Sequence, residues 1–210
     1  MKKKIAVLIG GISGEREISF LTGRACLKIL KKKGYKVAEI DAKGNFVKRI
    51  KKFKPNIIFN ALHGKFGEDG FVQSIFEAIK IPYTHSGVLS SMLAMDKILS
   101  RIIFIKNKIR VPKYFNLKKN VKLNLNKELK KRKIKFPIVI KPINEGSSLG
   151  VYICKSVKNF KINYKKLITK YDQIIVEEYI PGKEIQVAVM GNKPLGAIEL
   201  KPKREFYDYK

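Results

Sequence analysis

Residues 138–155 are IVIKPINEGSSLGVYICK, and this stretch decides how the second half of the chain folds. Two β-branched or aromatic runs, 138–141 and 151–154, flank a loop of glycine and serine, a pattern that predicts a β-hairpin with a mobile tip. The loop contains Glu145, Gly146, Ser147, Ser148 and Gly150. Its N–H and hydroxyl donors suit a phosphate, but Lys141 precedes the glycines, so the stretch is not a Walker A motif. Two interpretations remain: a flap over a triphosphate, with Lys141 reaching in from the strand below, or an ordinary surface hairpin.

The composition indicates a folded globular protein. The chain has 210 residues, of which 45% are apolar and 10% aromatic, which is enough for one large or two small domains. The start imitates a signal peptide, yet glycines and charges follow Ile9 at once, and no apolar run reaches the roughly 18 residues that a membrane helix needs. Cys26 and Cys154 stand far apart without a metal-binding pattern, which suggests reduced thiols. We therefore expect a soluble cytoplasmic protein with no membrane partner.

The charge is strongly positive, because 46 Lys and Arg against 17 Asp and Glu give a formal +29. Neutralising phosphates is the usual use of such an excess, so a basic nucleic-acid-binding module is one interpretation. The lysines are spread along the chain, however, in clusters such as 31–33, 51–54 and 130–133, and no zinc, RRM or KH signature accompanies them. Lysine-rich solvated faces give the same composition, and the spread of the lysines favours this second interpretation.

The first part of the chain predicts an open α/β sheet with parallel strands. The apolar run 5–9 is typical of a strand buried on both faces. A helix is predicted to follow, with Ser13 as its cap and with apolar residues at Ile18, Leu21, Ala25 and Ile29. Residues 35–41 and 56–62 are predicted to be the next strands, and residues 88–106 one long helix. Ligands of such sheets bind where the parallel strands end.

The second part of the chain predicts an antiparallel sheet with helices on one face. Residues 122–133 and 156–171 have helical patterns. Residues 173–178 follow as a β-rich run that ends shortly before the Pro–Gly pair at 181–182. A further hairpin is predicted about Gly191 and Asn192.

Four charged residues each have a functional and an ordinary interpretation. Glu15, in the first turn of a helix, either favours the helix dipole or holds a substrate ammonium group. His63 follows a strand in the segment HGKFGEDG, where it either forms a structural hydrogen bond or binds a ligand at the sheet edge. Lys97 in a helix is by default a solvated lysine. Lys141, partly buried beside the loop, needs an anion, and a phosphate supplies one.

Three further acids surround the Pro–Gly turn. Glu177 and Glu178 end one strand, and Glu184 begins the next. Acids at strand ends are often only solvated. The same arrangement is also that of a nucleotide pocket, in which backbone groups contact adenine and a carboxylate accepts from ribose hydroxyls.

In six segments the chain resembles the D-alanine–D-alanine ligase family of the ATP-grasp superfamily, from residue 4 to the end. The segments are GGISGEREIS (10–19), HGKFGEDGFVQS (63–74), YTHSGVLSSMLAMDK (83–97), IVIKPINEGSSLGV (138–151), VEEYIPGKEIQVAV (176–189) and FYDY (206–209). The resemblance implies an α/β fold with a Rossmann-like parallel-sheet substrate domain at 1–95. An ATP-grasp α+β nucleotide-binding domain at 96–210 would follow it, without the C-terminal part of the grasp.

The resemblance also implies the reaction and the roles of the site residues. ATP would phosphorylate the carboxylate of one D-alanine, and the amine of a second would attack the acyl phosphate, giving a precursor of peptidoglycan. Glu15, His63 and Ser147 would bind the first D-alanine, with Glu15 and Ser147 as the catalytic residues. The residues implied to bind ATP are Lys97, Val139, Lys141, Glu145, Gly146, Ser147, Ser148, Gly150, Glu177, Tyr179, Ile180, Glu184 and Phe206.

The sequence departs from the family at its end. Relatives continue past the position of Lys210 to an arginine and to the Asp, Glu and Asn that bind Mg²⁺ or Mn²⁺, so we expect no metal ligands in this chain. We therefore expect an inactive fragment of a ligase, and clear ADP release with D-alanine and ATP would contradict this. A ligase that makes D-alanyl-D-lactate remains an alternative. The resemblance also implies a homodimer through the first domain.

Overall fold

The structure is a computed structural model that describes residues 2–121 and 124–201. The chain divides into two compact units, Met1–Ser100 and Arg101–Lys210. The elements of the first unit are β1 (Lys4–Ile9), α1 (Arg16–Lys32), β2 (Lys36–Asp41), α2 (Phe46–Phe53), β3 (Ile57–Asn60), α3 (Phe71–Ala78) and α4 (Val88–Met95). Helix α5 (Lys97–Lys106) contains the boundary between the units. The later elements are β4 (Tyr114–Lys118), α6 (Leu125–Arg132), β5 (Ile138–Pro142), β6 (Tyr152–Cys154), α7 (Val157–Ile168), β7 (Gln173–Glu178), β8 (Glu184–Met190) and β9 (Lys193–Leu200).

Strand β1 is the centre of a parallel sheet with the strand order β2–β1–β3. The side chains of residues 5–9 are buried on both faces of this sheet, which confirms the prediction from the apolar run. The odd-numbered side chains pack against α1, and the even-numbered ones pack against α2 and α3. The loops that follow β1 and β3 therefore begin at the same edge of the sheet.

Helix α1 faces the sheet with a different side from the one that the apolar spacing indicates. Leu21 and Ile29 are 69% and 52% exposed, whereas Ser19 and Gly23 are buried. A Cβ atom on Gly23 would lie 2.1 Å from Cγ2 of Ile9. Small residues therefore set the distance between α1 and β1, and the apolar spacing alone does not identify the buried face.

The ends of two helices differ from the prediction. The N-cap of α1 is Glu15, and the hydroxyl of Ser13 accepts a hydrogen bond from the N–H of Glu15 at 3.1 Å. The single helix predicted at 88–106 is broken into α4 and α5, because Asp96 has an extended backbone with ψ 111°. The carboxylate of Asp96 accepts hydrogen bonds from the N–H groups of Ile98 and Leu99 and so begins the second helix.

The second unit contains a four-stranded antiparallel sheet with the order β4–β7–β5–β6. The predicted β5–β6 hairpin is confirmed, with Ile138 opposite Cys154. Alternate side chains point to opposite faces of a sheet. One face carries the core with α6 and α7, to which β5 and β7 contribute Ile138, Ile140, Ile174 and Val176. The opposite face carries Val139, Lys141, Ile175 and Glu177, so the charged residues of these strands are kept apart from the core.

Strands β8 and β9 form a separate hairpin, as predicted, and nearly every side chain in it is exposed. Among the described residues, no helix is long and apolar enough to cross a membrane.

Candidate active site

The loop after β1 is held from both sides. The N–H of Gly10 donates to Oγ of Ser19 at 2.8 Å, and the N–H of Gly11 donates to Asp41 at 3.2 Å. Arg16 donates to both carboxylate oxygens of Asp41, at 2.9 and 2.6 Å. This bond from Arg16 holds the pKa of Asp41 well below its usual value. The end of β2 therefore fixes the start of the loop that leads to Glu15.

Glu15 is buried at the end of this loop, only 5% exposed. The hydroxyl of Ser13, which accepts from the N–H of Glu15, donates to the carbonyl oxygen of His63 at 2.7 Å. Gly64 approaches the Glu15 carboxylate so closely that a Cβ atom on it would lie 2.3 Å from Oε2. The structure therefore brings together Glu15, which the sequence placed in the first turn of a helix, and His63, which it placed at the end of a strand.

His63 forms contacts on both sides of its ring. Nε2 lies 3.1 Å from Oγ1 of Thr22, and Nδ1 lies 3.7 Å from a carboxylate oxygen of Glu68. The nearby carboxylate of Glu68 raises the pKa of His63 above its usual value, against the effect of desolvation. Burial alone would raise the pKa of Glu68, but His63 and the N–H of Gly64 bring that pKa below its usual value. Glu68 and His63 therefore stabilise each other's charged form.

Replacing Glu68 with glutamine is expected to lower the pKa of His63, because the charged acceptor is lost. Since the folded-state pKa of His63 is raised, the stabilisation from this pair is fully present below pH 6.5, the ordinary pKa of histidine, as long as Glu68 is ionised. It is lost as the pH rises through the folded-state pKa. An NMR titration of the His63 imidazole measures the change.

Glu77→Gln is the matched control for this measurement, because Glu77 accepts a hydrogen bond from the hydroxyl of Tyr83 at 2.8 Å within the same unit. That variant should leave the pKa of His63 unchanged. An equal pKa of His63 in wild type and Glu68→Gln would contradict the assigned contact.

A cavity of about 250 Å³ lies beside His63 and is also lined by Glu68, Gln73 and His85. Its volume would hold roughly eight water molecules or one small organic molecule. The side-chain N–H groups of Asn60 and Gln73 both donate to the carbonyl oxygen of Gly67 at 2.9 Å, which fixes the loop beside the cavity. His63 therefore has room next to it for a small polar ligand.

The second unit has a charged cluster on the sheet face opposite its core. The carboxylate of Glu177 accepts from Lys141 on one oxygen and from Arg101 on the other. Tyr114 and Val139 are the cross-strand neighbours of Glu177 on β4 and β5. Lys141 is partly buried, as predicted, and the anion that it contacts is the carboxylate of Glu177. The role of Lys141 toward a phosphate stays a prediction.

The loop 143–150, which the sequence predicted to be the tip of a hairpin, is mostly half-buried. Ser147 and Ser148 have φ of 49° and 60°, and two tight turns, 146–149 and 148–151, follow each other. A Cβ atom on Gly150 would lie 3.0 Å from Pro142 and 3.1 Å from Leu167. The loop therefore lies back against the end of β5 and against α7.

The remaining predicted residues lie at the ends of elements. Lys97 is the first residue of α5 and is half-buried. Tyr179 and Ile180 follow β7 and are exposed, and Glu184 is the exposed first residue of β8. Phe206 lies outside the described residues. Glu15, His63 and Lys97 belong to the first unit, and the other predicted residues belong to the second.

Two residues of these clusters were not assigned a role from the sequence. Glu68 lies within the segment HGKFGEDG, and its position in the same short loop as His63 could have indicated their contact. No sequence pattern indicates the role of Arg101, because its partner Glu177 is 76 residues away.

Comparison with known proteins agrees with this geometry. The family model described as D-ala D-ala ligase N-terminus matches residues 42–86, and the model described as D-ala D-ala ligase C-terminus matches residues 103–210. The D-alanine–D-alanine ligase of Pelagibacter ubique is 58% identical over the whole chain, which covers 68% of that relative. The one of Rickettsia africae is 44% identical over 99% of this chain, which covers 63% of that relative.

Solved structures give the same result. The ligase of Bacillus anthracis has a TM-score of 0.86 at 33% identity, with 99% of this chain and 67% of that chain covered. The structure of the Bacillus anthracis ligase complexed with ATP has a TM-score of 0.85 at 32% identity, with 97% of this chain and 68% of that chain covered.

The parallel-sheet unit, the antiparallel sheet with one charged face and the glycine–serine hairpin define the class of ATP-grasp ligases. Within this class, the chain belongs to the D-alanine–D-alanine ligase family. It spans about two thirds of the length of the curated relatives that it matches.

Proposed function

We propose that this chain provides the amino-acid-binding and nucleotide-binding parts of an ATP-dependent ligase that joins two D-alanines for peptidoglycan synthesis. The observation that carries the proposal is the cluster of Lys141 and Glu177 on the sheet face opposite the core, beside the loop 143–150. A partly buried lysine in a cluster of net positive charge, near a loop of small residues, is a suitable receptor for a polyphosphate. The high identity to ligases over the whole chain supports the same conclusion.

The proposed reaction has two steps. The carboxylate of the first D-alanine attacks the γ-phosphorus of ATP and releases ADP. The amine of the second D-alanine then attacks the acyl carbon, forms the peptide bond and displaces phosphate. The protein's task in both steps is to hold the reactants in line, to stabilise the phosphoryl group's charge and to exclude water from the acyl phosphate.

Residues of the first unit would hold the amino acid. Glu15 is buried and would bind the ammonium group of the first D-alanine, and His63, whose pKa is raised by Glu68, would face its carboxylate side. In the second unit, Lys141 would bind phosphate oxygens and the loop with Ser147 would cover them. The role of Lys97, in the first unit, toward ATP stays a prediction.

ATP is expected to arrive with Mg²⁺ or Mn²⁺. Within the part of the chain that the structure describes, no group of three or more His, Cys, Asp and Glu is arranged to hold a metal ion. The described residues therefore do not fit a metal centre, and no step of the proposal passes through one.

The proposal also includes the predicted division into a substrate domain at 1–95 and a nucleotide domain at 96–210, a cytoplasmic location and a homodimer through the first domain. The family resemblance supports these three points.

The proposed function predicts that the chain binds ATP and prefers D-alanine to L-alanine. Isothermal titration calorimetry measures the first, and saturation-transfer NMR with each enantiomer measures the second. A chain that is folded by circular dichroism but binds no ATP, or that binds both enantiomers equally, would contradict the proposal.

A further inference from the structure

Helix α5 buries a charge and exposes its apolar residues. Arg101 is the one residue of this helix that is buried, whereas Leu99, Ile102 and Phe104 are exposed. Arginine is seldom buried in proteins unless it is paired. The burial of Arg101 in a helix with exposed apolar residues therefore indicates that Arg101 has a specific partner.

The partner is a pair of residues on neighbouring strands. The guanidinium of Arg101 lies over the ring of Tyr114, 5.1 Å from its centre, and donates to Oε2 of Glu177. Tyr114 and Glu177 face each other across β4 and β7. Arg101 thus contacts the central strand of the sheet on the face that is opposite the core.

The carboxylate of Glu177 forms ion pairs with two cations, Arg101 and Lys141. The side chains of Arg101, Glu177 and Lys141 are 10%, 7% and 21% exposed, and together they carry a formal charge of +1. Arginine keeps its charge and has a planar set of donors, whereas lysine is a flexible point charge. Lys141 is therefore the cation that a phosphate can draw away from Glu177 more easily.

We propose that Arg101 is a positioning residue of the nucleotide site: it neutralises Glu177 and so leaves Lys141 available to a phosphate group. This inference rests on the proposed function. Without Arg101, Glu177 has Lys141 as its remaining cation in the cluster, and the two form a neutral pair from which a phosphate must displace the carboxylate. Arg101 thereby acts on ATP through two other side chains.

The first test measures the affinity for ATP by calorimetry. Arg101→Met is expected to weaken binding by about tenfold or more, because Lys141 is then held by Glu177. The double variant Arg101→Met/Glu177→Gln should recover most of the affinity, because a neutral amide releases Lys141 while its carbonyl oxygen still accepts hydrogen bonds. Arg110→Met, which removes an exposed arginine of the same unit, should stay within about twofold of wild type.

Two results of this test would overturn the inference. One is an affinity of Arg101→Met within about twofold of wild type, and the other is a double variant that binds no better than the single one. Circular dichroism and thermal unfolding establish that each variant is folded. If Arg101→Met does not fold, Arg101→Lys replaces it, with an expected loss of about threefold because the charge stays and the planar donor set is lost.

The second test needs no nucleotide. Lys141 is acylated with trace acetic anhydride, and mass spectrometry measures its rate relative to the exposed Lys135 of the same chain. Arg101→Met should slow acylation of Lys141 by about threefold or more, and the double variant should restore it. An unchanged rate would overturn the inference. If wild type binds no ATP, the proposed function fails, and this rate still decides whether Arg101 controls Lys141.

Discussion

Replacing Lys141 with methionine is expected to weaken ATP binding roughly 30-fold, which corresponds to about 2 kcal/mol. Methionine keeps most of the length of the side chain and removes its charge. The variant loses a charge-assisted contact to phosphate on a face that water reaches only partly. Glu177 keeps its bond to Arg101, so no buried carboxylate is left without a cation. Calorimetric titration with ATP measures the loss.

Lys135→Met is the matched control, since Lys135 precedes β5 by a few residues and is exposed. It should change the affinity for ATP by less than about twofold. Equal losses in the two variants would show that general basic charge, and not the position of Lys141, attracts the nucleotide.

Replacing Gly64 with alanine is expected to destabilise the first unit by about 3 kcal/mol and to abolish measurable D-alanine binding. Gly64 has φ +68°, which is costly for any residue with a Cβ atom, and that atom would lie 2.3 Å from Oε2 of Glu15. Glu15 is buried, so its carboxylate has little room to move. Urea unfolding measures the stability, and saturation-transfer NMR measures the binding.

Gly44→Ala separates the two causes of this loss. Gly44 has φ +79° in the same unit, with no atom within 4 Å of its added Cβ. It should therefore cost only the backbone strain, about 1–2 kcal/mol, and leave D-alanine binding intact. If both variants lost equal stability and bound D-alanine equally well, the close contact of Gly64 with Glu15 would have no functional meaning.

The elements that the sequence predicts well are those whose pattern is local. The run at β1 and the hairpin of β5 and β6 have apolar and β-branched residues in continuous stretches, and both are present. Helix α2 was not predicted, because residues 51–54 were interpreted only as a cluster of solvated lysines, although they overlap the end of the helix sequence FVKRIKKF. Strand β4 was missed as well, although Phe115 and Leu117 alternate with polar residues in the period of a strand.

The clusters of the site depend on contacts that no local pattern contains. The sequence predicted that Glu15 and His63 follow strands of the parallel sheet, where ligands bind, because chain order dictates those positions. It also predicted that Lys141 ends a β-rich run beside the glycine–serine loop. It did not predict that Glu177 would be the anion for Lys141, since β5 and β7 are adjacent only through the strand order β4–β7–β5–β6. The break at Asp96 was predictable in hindsight, because aspartate is a preferred first residue before a helix.

The alternation of side chains along β7 has a consequence for how this protein tolerates mutation. Substitutions of Glu177 change the chemistry of one face of the sheet without entering the core of α6 and α7 on the other face. An insertion or deletion of one residue within the strand reverses the two faces, placing a carboxylate among apolar side chains and Val176 among the charged side chains of the opposite face. Sequence variants that survive selection should therefore show substitutions in this strand and conserve its length.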